Sequence, residues 1–124
     1  MANNSIVLIV ENDPSLRRIL KIKFRNKGYQ VYSARDGVEG HDLILKENPQ
    51  VVITDIQMPN MDGKSLCEKT RELKKENPFL TIVITSLLLE NHGWIDEMDE
   101  TELMLKPLNL NELTDRVEQY LSGA

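Results

Sequence analysis

The chain has 124 residues, with 15 lysines and arginines against 20 aspartates and glutamates, a formal charge of −5, and 40% hydrophobic and 28% charged residues. That length suits one domain with its own core, and the composition excludes bulk disorder. The acidic balance argues against nucleic acid or an anionic membrane as the main partner, and the single cysteine, Cys67, excludes an intrachain disulfide and suits a reducing compartment.

The N-terminus has no basic region, and its apolar run, Ile6–Val10, is too short for a signal peptide. The longest apolar stretch, 80–89, is interrupted by Thr81, Thr85 and Ser86 and falls short of the roughly 20 residues of a membrane helix. A cytoplasmic protein is the expectation.

Ile6–Val10 is a continuous β-branched run, the pattern of a strand buried on both faces. Asn12 and Asp13 can cap the helix that follows, and Pro14 fits its first turn. Leu16, Ile19, Leu20 and Phe24 recur at helical spacing before Gly28 stops the helix. Residues 29–34 form a weaker strand, given the character of a sheet edge by Gln30, Tyr32 and Ser33. Asp36 can cap a helix through Val38, Leu43, Ile44 and Leu45 that ends near Asn48-Pro49. A third strand spans 51–54. A helix over 63–76 turns Leu66, Cys67, Thr70 and Leu73 inward and ends at Asn77-Pro78.

Leu80–Thr85 is a fourth apolar strand. The segment 86–101 carries three leucines from Leu87, an interrupting Gly93 and the acids Asp96, Glu97, Asp99 and Glu100, and predicts a short or distorted helix. Within it His92, like His41 earlier, reads as a surface residue, and Trp94 as core or as an exposed anchor. A short fifth strand covers 103–105. Asn109 with Glu112 resembles a capping box for a last helix whose Leu110, Leu113, Val117, Tyr120 and Leu121 share one face.

The pattern is α/β, (βα)5, a single domain over 1–124 with 1–5 and 122–124 as tails. Strand–helix alternation predicts a doubly wound parallel sheet with helices on both faces, whose ligands bind beyond the C-terminal ends of the strands. Those ends carry Glu11, Asn12 and Asp13 after strand one, Asp55 after strand three, Thr85 closing strand four, and Lys106 with Pro107 after strand five. Singly each has an ordinary reading as a cap, a strand residue or a solvated charge. Together they set carboxylates, a hydroxyl and an ammonium on one rim. Such a set attracts a hard cation such as Mg²⁺ and can hold a phosphoryl group. A carboxylate there can itself accept the phosphoryl group.

On these residues the chain resembles the receiver domain of bacterial two-component response regulators, of the chemotaxis-regulator kind. The resemblance rests on Ile6–Val10 followed by Glu11-Asn12-Asp13-Pro14, on VVITDIQMPNMDG from Val51 to Gly63, on Ile82-Val83-Ile84-Thr85-Ser86, and on Lys106-Pro107. It implies a flavodoxin-like receiver fold with strand order 2-1-3-4-5. It makes Asp55 the phosphoacceptor, Lys106 a phosphoryl contact and Thr85 the residue that moves on activation. It places Glu11, Asn12, Asp55 and the backbone carbonyl of Gln57 around Mg²⁺, and makes the Lys106-Pro107 bond cis. Pro59 and the Asp62-Gly63 turn would shape the loop after Asp55. The implied partner is a sensor histidine kinase or phosphotransfer protein, with output through the face of the fourth helix, fifth strand and last helix, in a monomer or a phosphorylation-dependent homodimer. Such a receiver is not a turnover enzyme.

The sequence departs from that pattern at several positions. Asn12 replaces a second acid, which predicts weaker Mg²⁺ binding; Asp13 would compensate through a water or simply cap the helix. Leu103 stands where many members have a switching aromatic, and Leu87 replaces a commonly polar residue near the entrance. These departures define an alternative, a degenerate receiver that binds partners without phosphorylation. An aspartate-nucleophile phosphatase would need an acid where Gln57 stands. A flavin-binding domain would need a hydroxyl-rich loop where Glu11-Asn12-Asp13 would repel phosphate.

Overall fold

The computed structural model describes residues 4–86 and 92–123. Five strands, β1 (Ile6–Val10), β2 (Gln30–Ala34), β3 (Val51–Asp55), β4 (Leu80–Thr85) and β5 (Thr101–Leu105), form one parallel sheet in the order β2-β1-β3-β4-β5. The helices are α1 (Pro14–Asn26), α2 (Gly37–Glu47), α3 (Gly63–Lys69), α4 (Arg71–Glu76) and α5 (Leu110–Leu121), with a 3-10 turn at Gly93–Glu97. The predicted fold class and strand order hold. Among the described residues no helix is long and apolar enough to cross a membrane.

Alternation along the central strands sorts the core into two layers. Val7, Ile9, Val51, Ile53, Leu80, Ile82 and Ile84 pack with Leu20 and Phe24 of α1 and Leu113 and Val117 of α5. The opposite face sends Leu8, Val10 and Val52 against Ile44 of α2 and Leu66 of α3. β3 and β4 are buried along their whole length, as their unbroken apolar runs require.

The predicted caps Asp13, Asp36 and Asn109 accept the backbone N–H of Ser15, Glu39 and Glu112, and Asp62, expected only as part of a turn, likewise caps α3 through the N–H of Ser65. Gly28, at φ 94, ends the chain's run through α1 in the left-handed region. Tyr29, expected to open the second strand, is instead buried, with its ring 6.0 Å from that of Phe24.

Two elements differ from the sequence reading, and a third takes the short, distorted form expected of it. The helix expected over 63–76 is broken at Thr70, whose hydroxyl donates to the carbonyls of Leu66 and Cys67 at 2.8 and 3.4 Å. A threonine bonding back into the preceding turn bends a helix in this way. β5 begins two residues early, at Thr101 rather than Leu103, because Thr101 pairs with Thr81. In the 86–101 segment the expected short helix appears as the 3-10 turn. There Trp94 is half-buried against Cys67, Val83 and Ile95, between the two roles considered for it. His41 and His92 are half-buried. Leu87 lies outside the described residues.

Candidate functional site

At the C-terminal ends of β1, β3 and β5 three charged side chains meet. Asp55 ends β3 with 7% of its surface exposed, and Glu11, directly after β1, with 2%. Lys106, directly after β5, reaches both carboxylates: its Nζ lies 2.6 Å from Asp55 Oδ2 and 3.5 Å from Glu11 Oε1. The other oxygen of Asp55, Oδ1, accepts the backbone N–H of Gln57 at 3.2 Å. Glu11 Oε2 accepts the N–H of Asp13 at 2.9 Å. Glu11 Oε1 is buried and accepts no hydrogen bond, although the Lys106 ammonium is near.

Burial pushes the Glu11 carboxyl above the usual glutamate range, and the neighbouring Asp55 charge adds to this against the pull of Lys106. For Lys106 burial acts against the charged form. The hydrogen bond to Asp55 and the charges of Asp55 and Glu11 together outweigh it and raise the lysine's pKa. The ammonium is therefore held charged between two acids.

The backbone around Asp55 is fixed on every side. Thr54 Oγ1 donates to the Asp55 carbonyl at 2.9 Å, Ile56 N–H to Ile84 O at 3.3 Å, and Gly63 N–H to Ile56 O at 2.9 Å. Gly63 approaches so closely that a Cβ there would lie 2.3 Å from Asp55 O. Only glycine fits this position. Thr85 is buried at the end of β4, and its carbonyl accepts the Lys106 N–H at 2.9 Å. The Lys106-Pro107 bond is cis, as the resemblance implies.

Other candidates sit at the margin. Asn12, Asp13 and Gln57 are exposed. Asp13 is the cap of α1, one of the two roles considered for it. Leu103 lies on β5, 36% exposed and paired with Val83, and Pro107 is exposed beyond the strand. Among the described residues no three His, Cys, Asp or Glu side chains gather as a metal cluster. The donor set is two carboxylates with amide and carbonyl oxygens nearby. That suits Mg²⁺, which takes one or two carboxylates and keeps several waters. The buried Glu11 Oε1, which accepts no hydrogen bond, is the atom such a cation would satisfy.

Three contacts were not legible from the strand ends. Arg17 Nη1 donates to the carbonyl of Glu11 at 2.8 Å and to that of Asn12 at 3.4 Å. Asn60, at φ 69 in the loop after Asp55, donates to the capping Asp36 at 2.8 Å. Lys74, which the sequence reading did not single out, is buried. Its signal was its place on the stripe of Cys67 and Thr70 at helical spacing. The other two contacts join elements that no local pattern relates.

Residues 7–118 match the family described as response regulator receiver domain. The chain is 27% identical over 124 residues to sporulation initiation phosphotransferase F of Bacillus subtilis, covering 95% of this chain and 94% of that protein. It is 32% identical over 116 residues to the probable transcriptional regulator ycf27 of Porphyridium aerugineum, covering 93% of this chain and 47% of that protein. It thus spans about half the length of several curated relatives it matches. A CheY-like response regulator receiver domain protein from Methanospirillum hungatei superposes with a TM-score of 0.87 at 27% identity, covering 98% of this chain and 96% of that one. With its fold, its rim of Glu11, Asp55 and Lys106, and these relatives, the chain belongs to the response regulator receiver domain family of two-component phosphorelay signalling.

Proposed function

We propose that Asp55 accepts a phosphoryl group from a phosphohistidine on a sensor histidine kinase or phosphotransfer protein. The observation that carries this reading is the 2.6 Å contact of Lys106 with Asp55, beside a buried Glu11 Oε1 that accepts no hydrogen bond. An Asp55 oxygen forms the new bond to phosphorus as the bond to the histidine nitrogen breaks, and the imidazole leaves. The Gln57 N–H keeps the carboxylate oriented, since it holds one oxygen while the other faces Lys106. Lys106 then exchanges part of its contact with the carboxylate for the arriving phosphoryl oxygens, stabilising their charge. Thr85, at the end of the adjacent strand, turns its hydroxyl toward the acyl phosphate. β5, with Leu103, and α5 carry the change outward to a partner protein. Leucine lacks a hydroxyl, so this coupling works by packing alone.

Glu11, Asn12, Asp55 and the Gln57 carbonyl would hold Mg²⁺, which would neutralise charge on the transferred group. The chain would act as an acceptor in the cytoplasm, not as a turnover enzyme.

The test is phosphorylation with a small-molecule phosphodonor, with and without Mg²⁺, read by intact mass. Gain of one phosphoryl group that requires Mg²⁺ and is lost in Asp55→Asn is the expected result. A chain that stays unmodified, with donor or with a phosphorylated phosphotransfer protein, would instead be a binding module that retains the fold.

A further inference from the structure

The turn between β1 and α1 carries two of the proposed cation ligands, Glu11 and Asn12, on three consecutive non-helical residues, 11–13. Short turns of this kind have few internal bonds, so something must fix them. At one end the Glu11 N–H donates to Ala34 O at 3.0 Å. At the other, the Asp13 carbonyl accepts the Arg17 N–H at 2.9 Å as α1 begins. Between those anchors the carbonyls of Glu11 and Asn12 are held by one side chain, the guanidinium of Arg17. Arg17 is half-buried, and its guanidinium donates to carbonyls. It is therefore fixed to the back of the turn and does not neutralise the acidic pair.

We propose that Arg17 is a positioning residue for the cation site. By fixing the Glu11 and Asn12 carbonyls, it holds the turn so that Glu11 Oε1 stays buried beside Lys106 and free of hydrogen bonds. This inference rests on the receiver reading of the pocket. Two effects of Arg17 oppose each other. Its positive charge disfavours a cation nearby, whereas the order it imposes avoids the cost of fixing the turn when the cation binds. Each residue whose backbone must be ordered on binding adds to that entropic cost. The charge is half in solvent and screened. The ordering effect therefore dominates, and loss of Arg17 weakens cation binding.

The test is Mg²⁺ binding to the full chain by titration calorimetry, for the native sequence, Arg17→Met and Arg17→Lys. Methionine keeps an unbranched stem of similar length without the guanidinium, and Arg17→Gln serves beside it should the methionine variant fold poorly. The expected result is several-fold weaker binding in Arg17→Met and substantial recovery in Arg17→Lys, which can still donate to the carbonyls. In the absence of Mg²⁺, amide exchange at Asp13, whose N–H bonds Glu11 Oε2, should quicken in Arg17→Met while the β3 and β4 amides stay protected. Equal or tighter binding in Arg17→Met, or a lysine variant as weak as methionine, overturns the role of Arg17 and leaves the pocket reading intact. A native chain that takes up no Mg²⁺ overturns both.

Discussion

Asn12 is the residue at which this pocket departs most plainly from the acidic pair that the family resemblance implies. Its amide oxygen can ligate a hard cation but brings no charge. A full charge at contact distance is worth about 4 kcal/mol at an effective dielectric of 20. Asn12 is exposed, so screening reduces that figure. The absent charge also spares Glu11 and Asp55 a further repulsion, and burial already makes ionisation of Glu11 costly. Asn12→Asp should therefore bind Mg²⁺ several-fold more tightly than the native chain and, without Mg²⁺, be slightly less stable to urea. Half-saturation at the same Mg²⁺ concentration in both proteins would mean that Asn12 does not set affinity. Lys106 limits the size of the effect, because its ammonium already shields both native carboxylates.

Among the elements, α5 gives the cleanest separation of stability from site chemistry. Its cap, Asn109, is exposed and accepts the Glu112 N–H at 3.0 Å, remote in function from the acidic pair. Asn109→Ala should cost about 1 kcal/mol in a urea melt, while mass spectrometry should find phosphoryl uptake at Asp55 unchanged. The same cap shows what sequence can reveal. Asn109, Asp36 and Asp13 are local signals, each satisfied by an N–H two or three residues on, and were legible, whereas the cap at Asp62 was read only as a turn. The buried strands were legible for a similar reason: Leu80–Thr85 is apolar because both its faces are covered. Strand ends then placed Asp55 and Lys106 on one rim, which the 2.6 Å contact bears out. What stayed hidden depends on which of several available partners a polar group takes in space. The break at Thr70 follows from a hydroxyl choosing carbonyls within its own helix, where periodicity alone predicts continuity. The early start of β5 depends on Thr81, twenty residues before it. Arg17 reads as one more basic residue of α1 until the turn it holds is seen in space.

At the scale of the whole molecule, stability in alkali should be set by two buried groups at the end of the sheet away from Asp55. Lys74 donates to Thr81 Oγ1 and Glu100 O at 3.0 Å and to Thr101 Oγ1 at 3.1 Å, with Nζ 4.8 Å from the Phe79 ring centre. It lines a cavity of about 10 Å³ together with Cys67, Thr81, Asp99 and Thr101. Burial pulls the Lys74 pKa from 10.5 down to about 8, against the charges of Cys67, Glu100 and Asp99. Burial likewise pushes the Cys67 thiol from 9.0 up to about 12. The two shifts have opposite consequences. Between pH 8 and 10.5 the unfolded chain keeps the lysine proton that the folded chain releases, so stability rises with pH. Between pH 9 and 12 the folded chain keeps the thiol proton that the unfolded chain releases, so stability falls. Each slope is at most about 1.4 kcal/mol per pH unit for one proton. Urea melts of the native protein should therefore show stability rising from pH 8 to 9, levelling while the two groups cancel, and falling beyond 10.5. The raised pKa values of Tyr29 and Tyr120 steepen that final fall. Cys67→Ala should extend the rise toward 10.5, whereas Lys74→Met should abolish it and leave only the decline from 9. A native profile flat from pH 8 to 9, unchanged by Lys74→Met, would mean that the ammonium is as well solvated by its three acceptors as it is by water.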